Sequence, residues 1–512
     1  MNTRRTLWLP NVGSLLWLAF FLGLTLTQWR LIMINADGDA CLHWRIGNWM
    51  IDHRAVIHAD AFLHTRAGAS FITKEWLAEV LFAAAGDVLD WNGIVLLSAA
   101  LIATYLWLLH RELLAEGSEL ISSTALTILA AMSCSVHWLA RPLLYSHLFT
   151  VIFTWQLRLF DRGQLTTRQL LLRLAPVMVL WVNLHGAFFT GFVIIATFFM
   201  GNTIVLLTCP RGVRPVALKK LGSLAAVAVA CMLATLLNPN GWRLPAHILE
   251  FFRDPLLATY TTEFRSPDFH WNNLSGFSIE LAALAVTLIV LRPALSATDV
   301  AVVGTWGLLS LLSARNGPVF ALVVTPILAE HLHEALTKAV PGRCIDAYRR
   351  LSAHMTVLNR SANGWGTVVL VSIVLVAVMA KPKMLGGQPL VTSGVLSNRF
   401  PVAATQFVDA HPAAVSGEMY NTFSWGGYLI LYLPAHKVFV DGRNDFYGMA
   451  LIREWNDVDQ IHQDWDAILK KYRVGWTILP RNHALNSFLA LRTDWRLAYE
   501  DDVADIYTRR PE

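Results

Sequence analysis

The chain has 512 residues, 55% of them hydrophobic and only 15% charged, with a mean hydropathy of +0.46. A soluble domain carries roughly a quarter charged residues, so an ordinary soluble enzyme is excluded. The net charge of +5 lies mostly in short loops without a block of like charges, which excludes a nucleic-acid binder. Five cysteines, at 41, 134, 209, 231 and 344, show no CxxC spacing and imply neither a disulfide framework nor a thiolate metal site.

Apolar runs of about 18 to 22 residues recur through the first 380 positions, each long enough to cross a ~30 Å hydrocarbon core as a helix. The first, 12–34, follows Arg4 and Arg5; it is too long for a signal peptide, lacks a small-residue cleavage site and reads as an uncleaved anchor. Residues 35–75 form a long loop. Within it Leu42, Ile46, Trp49 and Met50 share one helical face, which predicts an amphipathic helix from Asp39 to His53 lying on the membrane surface. Trp76 to Leu89 is apolar but carries Glu79 and Asp87, as a second surface or re-entrant helix would. Further spans follow at 92–110, 119–137, 143–160, 171–184, 187–207 and 221–237. A second long loop, 238–274, is rich in Pro, Asn and aromatic residues. Spans at 275–291, 298–313, 317–333 and 364–380 complete the set, with a basic loop at 334–362.

Lys and Arg concentrate in alternate loops, among them Arg158, Arg162, Lys219, Lys220, Arg349 and Arg350. By the positive-inside bias those loops are cytoplasmic. The expectation is a polytopic α-helical membrane protein of about eleven transmembrane helices, N-terminus in and C-terminus out. Past Lys383 no span remains. Short strand patterns at 415–420, 437–440, 475–479, 495–500 and 503–508 alternate with helical ones at 423–433 and 449–472. They predict a small extracytoplasmic α/β domain over 384–512, after a transmembrane module over 1–383.

In this topology the polar motifs fall on one side, and their agreement predicts a composite site at the outer membrane face. Asp37 and Asp39 directly follow the first span. Carboxylates there are costly, and two of them could deprotonate an acceptor or hold a divalent cation such as Mg or Mn. The plainer alternative is a helix N-cap, although His43 and Arg45 lie one turn on. Lys74, Glu75 and Trp76 could bind a sugar or merely anchor the chain at headgroup depth. Arg141, Arg265 and Arg315 suit phosphate oxygens, or separate lipid headgroups; Asp268 lies beside Arg265 in the same motif. His185 could bond a leaving phosphate, or simply bond its own helix. Glu280 is expected to face the bundle and pair with an arginine. Asp441-Gly442-Arg443 stands after a strand where α/β sheets bind ligands, though Asp-Gly also makes plain turns.

Asp37-Gly38-Asp39 after span one, the surface helices of 39–75 and a multi-span body with an exterior C-terminal domain resemble the C-type glycosyltransferase superfamily. His43, Arg45, Trp425-Gly426-Gly427-Tyr428 and Asp441-Gly442-Arg443 extend the likeness to bacterial membrane proteins of that type. The resemblance implies transfer of a sugar from a polyprenyl-phosphate carrier to an extracytoplasmic glycan, lipid or protein acceptor. It places Asp37 or Asp39 as base, and the chain in the bacterial inner membrane with its last domain in the periplasm. Two other readings stay open: a flippase-like transporter of lipid-linked saccharide, and a non-catalytic assembly protein that would tolerate Asp37→Asn and Asp39→Asn.

Overall fold

The apolar runs form helices. The computed structural model describes residues 7–253, 261–270, 275–338, 342–380 and 391–510, and over these the chain is mostly helical. Among them five helices are long and apolar enough to cross a membrane: Trp91–Ala115, Leu120–His137, Gly186–Thr208, Arg214–Ala234 and Ala314–Lys338. The first apolar run is two helices, Val12–Leu26 and Trp29–Asn35, which make a sixth span if they cross together. Shorter apolar helices occupy Ser275–Leu291, Ala297–Leu312 and Trp365–Ala380. The chain is a multi-pass membrane protein, since in hydrocarbon a helix alone satisfies its own backbone. Arg4, Arg5 and the expected 383/384 boundary lie outside the described residues.

The chain divides into two compact units. One comprises Met1–Thr27, Ser98–Trp138 and Pro142–Leu390. Its helices start on local signals. Thr166 and Gln169 form a capping box at Thr167–Leu184, and Ser296 and Asp299 form another at Ala297–Leu312. Arg158 is buried rather than a loop charge: its guanidinium donates to both carboxylate oxygens of Glu116, each at 2.8 Å, and to Glu330 at 2.8 Å. Glu280 is fully buried, but two hydroxyls satisfy it instead of an arginine. Ser133 donates to it at 2.6 Å and Thr325 at 2.8 Å.

The other unit comprises Gln28–Leu97, Leu139–Arg141 and Val391–Glu512. Its sheet has four strands in the order β1-β2-β4-β3: β1 Glu418–Asn421, β2 Val474–Pro480, β3 Trp495–Glu500 and β4 Ala504–Arg509. β1 and β2 are parallel and joined through the helices Gly426–Tyr432, Asn444–Asp459 and Trp465–Lys471. β3 and β4 form a hairpin whose turn is closed by Asp501, its Oδ1 accepting the amides of Val503 and Ala504, each at 2.7 Å. The expected strand 437–440 does not join this sheet. Val438 instead bonds to the first-loop segment, donating to the Phe62 carbonyl at 3.0 Å and accepting from His64 at 3.2 Å.

The helices Asp39–His53 and Trp76–Leu89 form where the sequence predicts them. Leu42, Ile46 and Met50 are buried, as are Ala78, Phe82 and Ala83 on the facing helix. The apolar stripe thus meets protein, not the membrane surface that its amphipathicity predicts. Gly47 allows the approach: a Cβ there would lie 2.0 Å from the Glu79 carbonyl oxygen.

Candidate functional site

Asp37 is not the N-cap of the Asp39–His53 helix: that position is Gly38, with no side-chain cap bond, and Asp37 Oδ1 accepts the Asp39 amide at 3.0 Å in a turn just before the helix. Its other oxygen does more. Asp37 Oδ2 is ion-paired with Arg141 Nη2, which also lies 3.1 Å from Asp39 Oδ2. Turn bonding and charge pairing are therefore two uses of one side chain. Arg141 reaches both carboxylates because the Ala140 amide donates to the Met33 carbonyl at 2.9 Å, fixing 139–141 beside the end of Trp29–Asn35. All three side chains are about a quarter exposed, so a ligand can reach them.

The glycine motifs enclose this triad. A Cβ on Gly38 would lie 2.7 Å from the Ser424 carbonyl oxygen, and one on Gly427 would lie 2.2 Å from the Gly38 carbonyl oxygen. A Cβ on Gly442 would fall 2.0 Å from Asp39 Oδ1. Trp425-Gly426-Gly427-Tyr428 and Asp441-Gly442 thus form a backbone wall against Asp37-Gly38-Asp39.

Four positions along the two packed helices, His43 joins Glu75 and Glu79. Its Nδ1–H donates to Glu79 Oε1 at 3.3 Å and stands 3.8 Å from Glu75 Oε2. Burial works against charge on His43, but the bond to Glu79 and the charges of Glu75, Glu79 and Asp39 outweigh it and raise its pKa. Burial likewise pushes the Glu75 carboxyl up, against the pull of His43 and Lys74. Lys74 pairs with Asp445 at 2.7 Å. Trp76 and Arg45 are half-buried in the same unit. For the expected cation at Asp37 and Asp39 the donors are already engaged: a metal there must displace the Arg141 guanidinium. Among the described residues, the group of three His or carboxylate side chains close enough to share an ion is His43, Glu75 and Glu79, with donor atoms all within 4.8 Å.

Asp441-Gly442-Arg443 is an internal ion pair. The Arg443 guanidinium donates in a bidentate fork to Asp441 and reaches Asp60 of the first loop at 2.7 Å. It also stacks on Phe71 and Phe446, 4.9 and 5.1 Å from their ring centres. Burial lifts the Asp60 carboxyl above its ordinary range, although Arg443 pulls it down. These contacts hold the first loop on the C-terminal segment within the unit.

The remaining candidates belong to the first unit. His185 is buried, and its Nδ1 accepts from the Ser146 hydroxyl at 2.7 Å, while that hydroxyl accepts from Trp181 Nε1 at 2.7 Å. Arg315 pairs with Glu263 at 3.2 Å and sits over the Phe264 ring. Arg265 and Asp268 are exposed, Asp268 accepting the His270 amide at 3.0 Å. Sequence reasoning missed Asp60 and Ser146 as partners. It also passed over Glu79 as a site residue, although a Glu75/Glu79 pair four apart on an apolar helix was its signal.

No protein-family profile matches the sequence, and no curated protein does. Solved structures do match. The Archaeoglobus fulgidus oligosaccharyltransferase tethered to an acceptor peptide is 12% identical, with a TM-score of 0.54 over 92% of this chain and 68% of that one. The archaeal oligosaccharyltransferase AglB from Archaeoglobus fulgidus, in complex with an inhibitory peptide and a dolichol-phosphate, is 13% identical, with a TM-score of 0.52 over the same shares. ArnT from Cupriavidus metallidurans bound to undecaprenyl phosphate is 12% identical, with a TM-score of 0.47 over 96% of this chain and 97% of that one. This chain shares the fold of the Archaeoglobus fulgidus oligosaccharyltransferase.

Proposed function

We propose that this protein is a membrane glycosyltransferase that moves a sugar from a polyprenyl-phosphate-linked donor to an extracytoplasmic acceptor. The observation that carries the reading is the Asp37–Arg141–Asp39 triad, set in a fold that an oligosaccharyltransferase solved with a dolichol-phosphate shares. Arg141 at rest neutralises both carboxylates. A donor phosphate entering beside it competes for the guanidinium, since a bidentate fork suits phosphate as well as carboxylate. A carboxylate released in this way is a base. It takes the acceptor hydroxyl's proton as the hydroxyl oxygen bonds to the anomeric carbon. The bond from that carbon to the phosphate oxygen breaks, and the phosphate leaves with the electron pair, its growing charge met by Arg141. Lys74 and Trp76 serve the sugar in this reading.

The same reading takes about eleven spans with the N-terminus inside, a transmembrane module over 1–383, a periplasmic domain over 384–512, and the bacterial inner membrane as location. The test is sugar release from a panel of radiolabelled polyprenyl-phosphate sugars by the reconstituted protein. Release should fall at least about 100-fold in Asp37→Asn or Asp39→Asn. Turnover unchanged in both variants would remove the carboxylates from the chemistry. Donor binding without turnover in wild type would favour a carrier or assembly protein.

A further inference from the structure

The His43, Glu75 and Glu79 cluster has more negative charge than its own residues can balance. Glu75 and Glu79 are 9% and 3% exposed, so water does little for either carboxylate. A protonated His43 would cancel one charge of the two, and Lys74, which also acts on Glu75, is itself held 2.7 Å from Asp445. Glu79 Oε2 is buried and has no hydrogen-bond partner, an uncommon state for a buried carboxylate oxygen. Buried charges are ordinarily paired or bound to metal. We propose that His43, Glu75 and Glu79 form a binding site for one divalent cation of the zinc class, which clamps the Asp39–His53 helix to the Trp76–Leu89 helix.

The geometry suits such an ion. Ligands about 2.1 Å from a tetrahedral ion stand about 3.4 Å apart. Here His43 Nδ1 is 3.3 Å from Glu79 Oε1 and 3.8 Å from Glu75 Oε2. One imidazole and two carboxylates make a mixed N/O set, which favours zinc over magnesium, an ion that prefers oxygen alone. With His43 neutral, a doubly charged ion and two carboxylates sum to zero. The preformed spacing comes from the fold: Glu75 and Glu79 are one turn apart, the Glu79 amide donating to the Glu75 carbonyl at 3.0 Å, and Gly47 lets the His43 helix approach. Three protein ligands leave a fourth position for water or a ligand oxygen. The ion would sit one helical turn from Asp39 and act on it by position. The inference does not depend on the transfer reaction, because the Asp37–Arg141–Asp39 triad shares no side chain with it.

The experiment is zinc binding by the full-length protein in lipid nanodiscs, stripped with chelator and then titrated with Zn²⁺ against a fluorescent zinc chelator. Metal content is read by mass spectrometry. Wild type, Glu79→Gln, His43→Asn and the double variant Asp37→Asn/Asp39→Asn are compared. Wild type should hold one tight equivalent and melt at a higher temperature with zinc than without. Glu79→Gln and His43→Asn should each lose that equivalent, weakening affinity by more than about 100-fold, the upper end of what losing a mere supporting group does. The double variant should keep it. No tight zinc in wild type overturns the proposal, as does an equivalent that survives both ligand substitutions. Loss in the Asp37/Asp39 double variant alone would move the ion to the triad and overturn it too. If Glu79→Gln fails to fold, Glu75→Gln replaces it with the same expectations.

Discussion

A single guanidinium is ion-paired with both Asp37 and Asp39, the carboxylates proposed to act on a substrate. Arg141 touches both Asp37 and Asp39 through one nitrogen, Nη2, and its planar guanidinium fork also suits a phosphate. Arg141→Lys keeps the charge and loses the fork; sugar transfer should drop about 100-fold, measured as radiolabel release, with the melting temperature nearly unchanged. Arg443 poses the opposite case, because its partners are buried. Arg443→Ala strands Asp441 and Asp60 and should destabilise the protein by about 3–5 kcal/mol in denaturant unfolding. Asp60→Asn keeps an oxygen for the Phe62 and Leu63 amides that Asp60 Oδ2 accepts but turns its NH2 toward the Arg443 guanidinium, so it should cost about 1–3 kcal/mol. The sign of the pH effect follows from the raised Asp60 pKa. The folded state holds that proton more tightly than the unfolded chain, so this group opposes folding above its folded pKa. The opposition is relieved as pH falls through that pKa toward the unfolded value of about 3.9. Wild type should therefore gain stability relative to Asp60→Asn across that window, measured by unfolding at stepped pH.

At the level of elements, the decisive contact is between Asp39–His53 and Trp76–Leu89. Residue spacing alone predicts both helices, because burying Leu42, Ile46 and Met50 on one side requires a period of 3.6. It does not say what covers the stripe: a membrane surface and a second apolar helix present the same chemistry. The close approach at Gly47 answers that, and it gives a prediction. Gly47→Ala places a methyl against the Glu79 backbone, where neither helix can yield without shifting. The expected cost is about 1–3 kcal/mol by thermal or denaturant unfolding. Zinc affinity should weaken in the same variant, since the His43 ring moves away from the two glutamates. The strand pattern at 437–440 shows the same limit. Its alternation is that of a strand, but Val438 pairs with Leu63 of the first loop rather than with the sheet.

For the whole molecule, the apolar helices make it a membrane protein, and the loop charges are the basis of the proposed orientation. Under the proposed topology the basic 334–362 loop is cytoplasmic and the segment after residue 384 faces outward. The structure turns most of that expected loop into the helix Arg343–Ser361, on which Cys344 is exposed, whereas Cys41, Cys134 and Cys231 are buried. A membrane-impermeant maleimide should label Cys344 only after permeabilisation. A cysteine introduced at the exposed Leu491 should react in intact spheroplasts. The reverse pattern would invert the orientation and remove the outer-face site.

The sequence by itself determined the membrane class, the helices Asp39–His53 and Trp76–Leu89, most of the C-terminal strands and the Asp501 turn. Each rests on a local period or a local side-chain-to-backbone bond, readable within a few residues. It also marked Asp37, Asp39 and Arg141 as candidates. Only the tertiary structure decided that Arg141, 104 positions from Asp37, is the partner of both aspartates. The same holds for Gly427 and Gly442, which wall that triad, and for Arg443, which is an internal pair instead of a ligand site. It also turned Glu280 to two hydroxyls instead of an arginine. Pairings across such separations are set by which surfaces the packed helices bring together, and no local period carries that information.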